Sequence, residues 1–167
     1  MALTPSPSQT SGPLWGFALM FEGSDRAVDP SSPGAVTIRG RVLDGDGLPV
    51  AWPDALVEVW DSDQFARTRT DTEGWYSVVV AKPPAGVTRD GRALAPALNL
   101  AIFARGLLKQ LVTRIYFPDE GEANAADPIL DRVPEDARDK LVARPDGDGL
   151  RFDVILQGDG ETAFFDF

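Results

Sequence analysis

Short apolar runs rich in β-branched residues, each cut by a turn of Gly, Pro or Asp, recur along this chain and constrain its fold more than any other feature. AVTIRGRVL at 35–43 stops at the turn Asp44-Gly45-Asp46-Gly47. ALVEVW at 55–60 puts Leu56, Glu58 and Trp60 on one face and Val57 and Val59 on the other, the period of a strand. WYSVVVA at 75–81 follows a turn at 71–74. LNLAIFA at 98–104, LVTRIYF at 111–117, RFDVILQ at 151–157 and TAFF at 162–165 complete the set of expected strands. Fourteen prolines and sixteen glycines supply the turns that so many short strands need. The expected fold is all-β: a β-sandwich of mostly antiparallel strands with one or two short helices in the C-terminal third.

The helical signal lies at 134–142. Pro134 stands in the first turn, Glu135 and Asp136 follow, and Lys140 comes late, the order that suits a helix dipole. A further short turn is expected at 127–132. Residues 1–12, rich in Pro, Ser and Thr, read as an irregular arm. Residues 13–167 read as the sandwich domain. Between them Trp15, Phe17, Leu19 and Phe21 alternate with smaller residues, which predicts a strand or an extended segment. Trp15 has two readings of equal weight, a core side chain or an anchor on another chain.

The chain contains no histidine and no cysteine. It therefore has no His or Cys ligands for zinc, iron or copper, and no Ser-His or Cys-His nucleophile pair. Its formal net charge of −10 argues against nucleic acid and against an anionic membrane surface. No apolar run is long enough to span a bilayer, and residues 1–16 lack the basic and apolar regions of a secretory leader. The expected location is the cytoplasm.

The two Asp-Gly repeats, at 44–47 and 146–149, lack the further oxygen ligands of a calcium loop and are read as hairpin turns. Trp60, Trp75, Phe103 and Tyr116 lie in strand patterns and are expected in the core. Glu58 is expected on a solvated face. Arg105 ends an apolar strand and precedes Gly106. Most such arginines reach solvent or pair with an acid, but a strand-end guanidinium also suits a bidentate grip on a carboxylate.

Segments in order along nearly the whole chain carry a family resemblance: PSQTSGP at 7–13, IRGRVLD at 38–44, ALVEVW at 55–60, RTDTEGWY at 69–76, APALNLAIFARG at 95–106, TRIYF at 113–117, RFD at 151–153 and QGDGETAFFDF at 157–167. The chain resembles the intradiol aromatic-ring dioxygenases, in their alpha-subunit branch that acts on protocatechuate. The C-terminal segment and Phe103-Ala104-Arg105-Gly106 are specific to it. The IRGRVLD and RTDTEGWY segments also fit transthyretin-like sandwiches, and a non-enzymatic binding module of that type is the alternative.

The resemblance implies a sandwich subunit paired with a related beta subunit that holds a ferric ion, Fe(III), through two tyrosines and two histidines. It implies higher-order assemblies of alpha–beta heterodimers. The His-x-His strand of the family corresponds here to Ala97 and Asn99, and the ligand tyrosines belong in loops that here run 61–68 and 84–87 without tyrosine. No cofactor is therefore expected on this chain. The expected reaction of the complex is cleavage of protocatechuate with oxygen to 3-carboxy-cis,cis-muconate. By the same resemblance Thr10, Gly12, Pro13 and Arg105 form substrate-pocket wall. A carboxylated substrate needs a local donor beside so acidic a chain, and Arg105 and the backbone N–H groups near Gly12 are the candidates.

Overall fold

Alternation of buried and open positions sets the strands, and two main sheets result, with a small two-stranded antiparallel ribbon over 86–87 and 93–94 beside them. The computed structural model describes residues 10, 12 and 14–166, apart from the Phe17 side chain. In chain order the elements are α1 (Trp15–Ala18), β1 (Ala35–Leu43), β2 (Ala55–Trp60), β3 (Phe65–Arg69), β4 (Trp75–Ala81), β5 (Gly86–Val87), β6 (Ala93–Leu94), β7 (Ala97–Ala104), β8 (Leu111–Tyr116), α2 (Gly121–Ala126), α3 (Glu135–Arg138), β9 (Arg144–Asp146), β10 (Gly149–Arg151) and β11 (Val154–Ile155). Single 3-10 turns at Leu130–Arg132 and Asp139–Leu141 flank α3.

One sheet is antiparallel throughout, in the order β3-β2-β7-β8. The other is built on β1, which pairs antiparallel with β4 and parallel with β10 and β11, while β9 pairs antiparallel with β10. Ile38, Val42, Tyr76, Val78 and Val80 of this sheet share one core with Val57, Val59, Leu98, Leu100, Ile102 and Ile115 of the first. Burying each such aliphatic side chain contributes roughly 1.5–3 kcal/mol. The all-β expectation holds, with α2 and α3 as short helices late in the chain.

Three local expectations are corrected. The run at 15–21 is not extended: Trp15–Ala18 is a helical turn, with Leu19 N–H donating to the Trp15 carbonyl at 2.8 Å. Its alternation does not track burial, because Phe21 is exposed, and the turn instead sets Trp15 edge-on to Trp52 with ring centroids 5.3 Å apart. The strand expected over 151–157 is split. Asp153 Oδ1 accepts the Arg41 N–H at 2.9 Å, so a side chain takes the place of a ladder carbonyl between β10 and β11. The segment at 162–165 forms no strand. Phe165 makes a single bridge to Val112, and the rest is tied by the Thr162 N–H donating to the Ile155 carbonyl at 3.0 Å and by hydroxyls: Thr162 Oγ1 accepts Ile155 N–H at 3.0 Å and Thr113 Oγ1 donates to the Ala163 carbonyl at 2.7 Å.

The aromatic expectation holds for Tyr116 alone. Trp60, Trp75 and Phe103 are only half-buried, at positions that alternation turns outward from the core. Glu58 is not simply solvated, since Arg67 holds its Oε1 at 2.6 Å with both side chains mostly covered.

Candidate functional site at the end of strand β7

The last residue of β7 is Ala104, and the turn after it gathers the candidate residues. Gly106 has φ of +98°, a backbone conformation that side chains with a Cβ resist, and the reversal leaves Arg105 on the outside of the bend. Thr10 reaches this bend from 94 residues earlier. Its hydroxyl accepts the Gly106 N–H at 2.8 Å and donates to the Ala104 carbonyl at 3.4 Å, so it spans the backbone on both sides of Arg105.

Arg105 is held by Asp54 twice. Its N–H donates to the Asp54 carbonyl at 2.8 Å, and its Nη2 donates to Asp54 Oδ2 at 2.9 Å. The guanidinium side chain is nevertheless 70% exposed, and among the described residues its other N–H donors meet no acceptor in the chain. An ion pair this exposed adds about 0–1 kcal/mol to the fold. The arrangement suits the presentation of a fixed cation to an outside carboxylate.

The segment before Asp54 anchors the N-terminal region as well. Trp52 N–H donates to the Asp71 carbonyl at 3.0 Å, and Arg69 lies over the Trp52 ring at 4.3 Å. Trp15 packs edge-on to the same ring, and a β-carbon on Gly16 would collide with that indole, so glycine lets α1 approach. Trp15 thus packs within its own chain. Gly12 is exposed, with nothing among the described residues within 4 Å of where a β-carbon would stand, and Pro13 lies outside the described residues, as does nearly all of the expected arm. Of the four sequence-predicted site residues, the structure brings Thr10 and Arg105 together, with Gly12 two residues along the chain from Thr10. Sequence reasoning missed Asp54. A Pro-Asp pair signals a turn, and nothing in the sequence links it to an arginine 51 positions away.

Elsewhere the outer face of the antiparallel sheet carries a hollow of about 420 Å³ lined by Glu58, Trp60, Asn99, Ala101, Phe103, Gln110 and Val112. A broader cleft of about 950 Å³ includes Trp52, Trp75, Arg39 and Arg69 in its walls. The guanidinium carbons of Arg39, Arg151 and Arg41 sit 4.5, 4.8 and 5.6 Å from the Trp75 ring, stacked contacts that help to order this face.

The donors at hand do not fit a ferric site of the family type. Among the described residues no group of three or more His, Cys, Asp or Glu side chains could hold a metal ion. Asn99, on the strand that the resemblance matches to His-x-His, lines a hollow whose one carboxylate, Glu58, is taken by Arg67. Both tyrosines are engaged as protonated donors. Tyr76 donates to the Phe152 carbonyl at 2.6 Å, and burial, with the charge of Asp153, pushes its phenol far above the ordinary range. Tyr116 donates to Asp127 Oδ1 at 3.1 Å. Burial raises it too, and the charge and hydrogen bond of Asp127 add to the rise while Arg114 opposes it.

The fold is a β-sandwich of the type found in intradiol ring-cleavage dioxygenases. Catechol 1,2-dioxygenase from Pseudomonas arvilla C-1 superposes with a TM-score of 0.54 at 24% identity, over 80% of this chain and 55% of that one. The 3-chlorocatechol 1,2-dioxygenase of Rhodococcus opacus 1CP gives 0.60 at 17% identity, over 78% and 62%. These likenesses are of fold, and the chain spans little more than half the length of the first. No protein-family model matches. The sequence relatives go further: the protocatechuate 3,4-dioxygenase alpha chain of Pseudomonas putida is 35% identical over 99% of this chain and 98% of its own length. That of Burkholderia cepacia is 36% identical over 98% of both. The chain belongs to the protocatechuate 3,4-dioxygenase alpha-chain family. It is also 32% identical to the beta chain of the Burkholderia cepacia enzyme, over 76% of this chain and 66% of that one.

Proposed function

We propose that this chain is the alpha subunit of a hetero-oligomeric protocatechuate 3,4-dioxygenase, that it binds no iron itself, and that it forms part of the substrate pocket where it meets an iron-bearing beta subunit. The complex opens protocatechuate with oxygen to 3-carboxy-cis,cis-muconate, and further copies of the alpha–beta unit build a larger assembly in the cytoplasm. Residues 1–12 pack on the beta chain, and residues 13–167 form the sandwich. The observation that carries this reading is the clasp at the end of β7, where Thr10 and Arg105, distant in sequence, meet beside an exposed guanidinium.

On this reading the chain binds and orients. Arg105 offers its free donors to the substrate carboxylate, a charge-assisted and potentially bidentate grip. Thr10 fixes the backbone that carries Arg105, and Gly12, with no side chain, lets substrate or partner approach the arm closely. Pro13 completes the wall. Ring opening is left to the partner's iron centre.

Co-expression with the beta chain tests the assignment. The expected result is a coloured, ferric, active complex, with this chain alone colourless and inactive. A stable monomer that ignores the beta chain would favour the transthyretin-like binding module instead. Within the complex, Arg105→Ala removes charged hydrogen bonds worth roughly 1.5–3 kcal/mol, so kcat/KM for protocatechuate should fall about tenfold or more. Unchanged kinetics in an assembled, iron-loaded complex would remove Arg105 from the pocket.

A further inference from the structure

We propose that Asp54 is a positioning residue for substrate recognition: it fixes the Arg105 guanidinium in the orientation that receives the substrate carboxylate. The proposal rests on the reading of Arg105 as that receptor. It stands on three observations. Asp54 grips Arg105 at both ends, its carbonyl taking the backbone N–H at 2.8 Å and its carboxylate taking Nη2 at 2.9 Å. The Asp54 side chain is 29% exposed while that of Arg105 is 70% exposed, so the acid sits on the protein side of the pair and the guanidinium projects from it. Asp54 is itself fixed, because its N–H donates to the Ala51 carbonyl at 2.8 Å and β2 begins at the next residue.

The physical consequence is preorganisation. A free arginine side chain samples many rotamers, and freezing it on binding weakens affinity. Asp54 occupies one amino group and leaves the rest of the fork directed outward. The negative charge of Asp54 opposes the incoming carboxylate, but it is matched by the guanidinium it holds. The net effect is on ground-state binding of carboxylated catechols, with no contribution expected for a catechol that lacks the carboxylate.

The test uses the iron-loaded alpha–beta complex, with assembly checked by gel filtration and iron content. Protocatechuate turnover and the anaerobic binding of protocatechuate and of unsubstituted catechol are measured for wild type, Asp54→Ala, Asp54→Asn, Arg105→Ala and the double variant. Asp54→Ala should raise KM and Kd for protocatechuate about three- to tenfold, the range that loss of one ordered side chain gives. It should leave kcat and catechol binding near wild type. Asp54→Asn, which keeps an acceptor oxygen, should lose less, and it carries the test should the alanine variant fail to assemble. In the Arg105→Ala background either change at Asp54 should have no further effect.

An equal loss for catechol, or an undiminished loss without Arg105, would show a structural role and overturn the proposal. If Arg105→Ala weakens protocatechuate binding while both Asp54 variants bind as wild type, the positioning role falls and the Arg105 reading survives. If Arg105→Ala is itself without effect, the Arg105 reading fails and the role of Asp54 with it.

Discussion

Alkaline pH should destabilise this protein through its two tyrosines. Tyr76 and Tyr116 are the only tyrosines, and both phenols are raised well above the ordinary value, chiefly by burial. The unfolded chain releases each proton near pH 10, whereas the folded chain keeps it. A group with a raised folded pKa contributes stability that is fully present below the unfolded value and lost as pH rises beyond it. At about pH 11 each tyrosine has therefore removed about 1.4 kcal/mol, and the pair about 2.8 kcal/mol, relative to about pH 8. Lys82 acts in the same direction. Burial pulls it down, but its hydrogen bonds and ion pairs to Asp119 and Glu120 outweigh that and leave it raised. Tyr76→Phe isolates one phenol, since other titrating groups cancel in the comparison with wild type. The variant should be weaker by about 1–3 kcal/mol at about pH 8, because the Phe152 carbonyl loses its hydrogen bond of 2.6 Å. Between about pH 8 and about pH 11 it should then lose about 1.4 kcal/mol less than wild type. Urea unfolding followed by far-ultraviolet circular dichroism measures both quantities. Parallel pH profiles for wild type and Tyr76→Phe, or phenolate absorbance appearing near pH 10 while the protein is still folded, would refute the argument.

Two further perturbations probe the frame around the site. Asp127 is buried and accepts hydrogen bonds from Tyr116 Oη and from the N–H groups of Ala95, Ile129 and Leu130, so Asp127→Ala should cost roughly 3–5 kcal/mol in urea unfolding. A loss below about 1 kcal/mol would mean that those donors find other partners. Gly106→Ala meets no atom within 4 Å but must hold φ near +98°, so it should cost roughly 1–2 kcal/mol through backbone strain alone, read as a lower urea midpoint.

Much of the sandwich is legible in the sequence because its strands alternate against one core. β2 and β4 show it best, with Val57, Val59, Val78 and Val80 all inward. β3 went unread since FARTR turns Phe65 and two arginines outward, and only the small Ala66 and the polar Thr68 mark its inner face. The run at 15–21 misled for the opposite reason: its alternation has no sheet to match, and an indole–indole contact decides its shape. At the site, residue type and spacing alone left Arg105 as one more strand-end arginine. The family resemblance singled it out together with Thr10. Their joint geometry, and the part of Asp54, depend on contacts across 94 and 51 positions, which no local pattern encodes.

The interactions that hold this fold and those that shape its site are different in kind. The buried phenols and Asp127 are satisfied by partners inside the chain, and each is costly to remove because a donor or acceptor is stranded away from water. The Arg105–Asp54 pair lies at the surface, where water and salt reduce its worth to the fold to about 0–1 kcal/mol. A contact of that value is not needed for folding, yet it holds a cation whose remaining donors meet no acceptor among the described residues. Such a pair gains strength only when a second surface removes water from it, because the same charges interact more strongly in a lower effective dielectric. On the proposed assembly, where a beta chain covers the pair, the effect of Asp54 should be read in the complex, and raising ionic strength should then blunt it little.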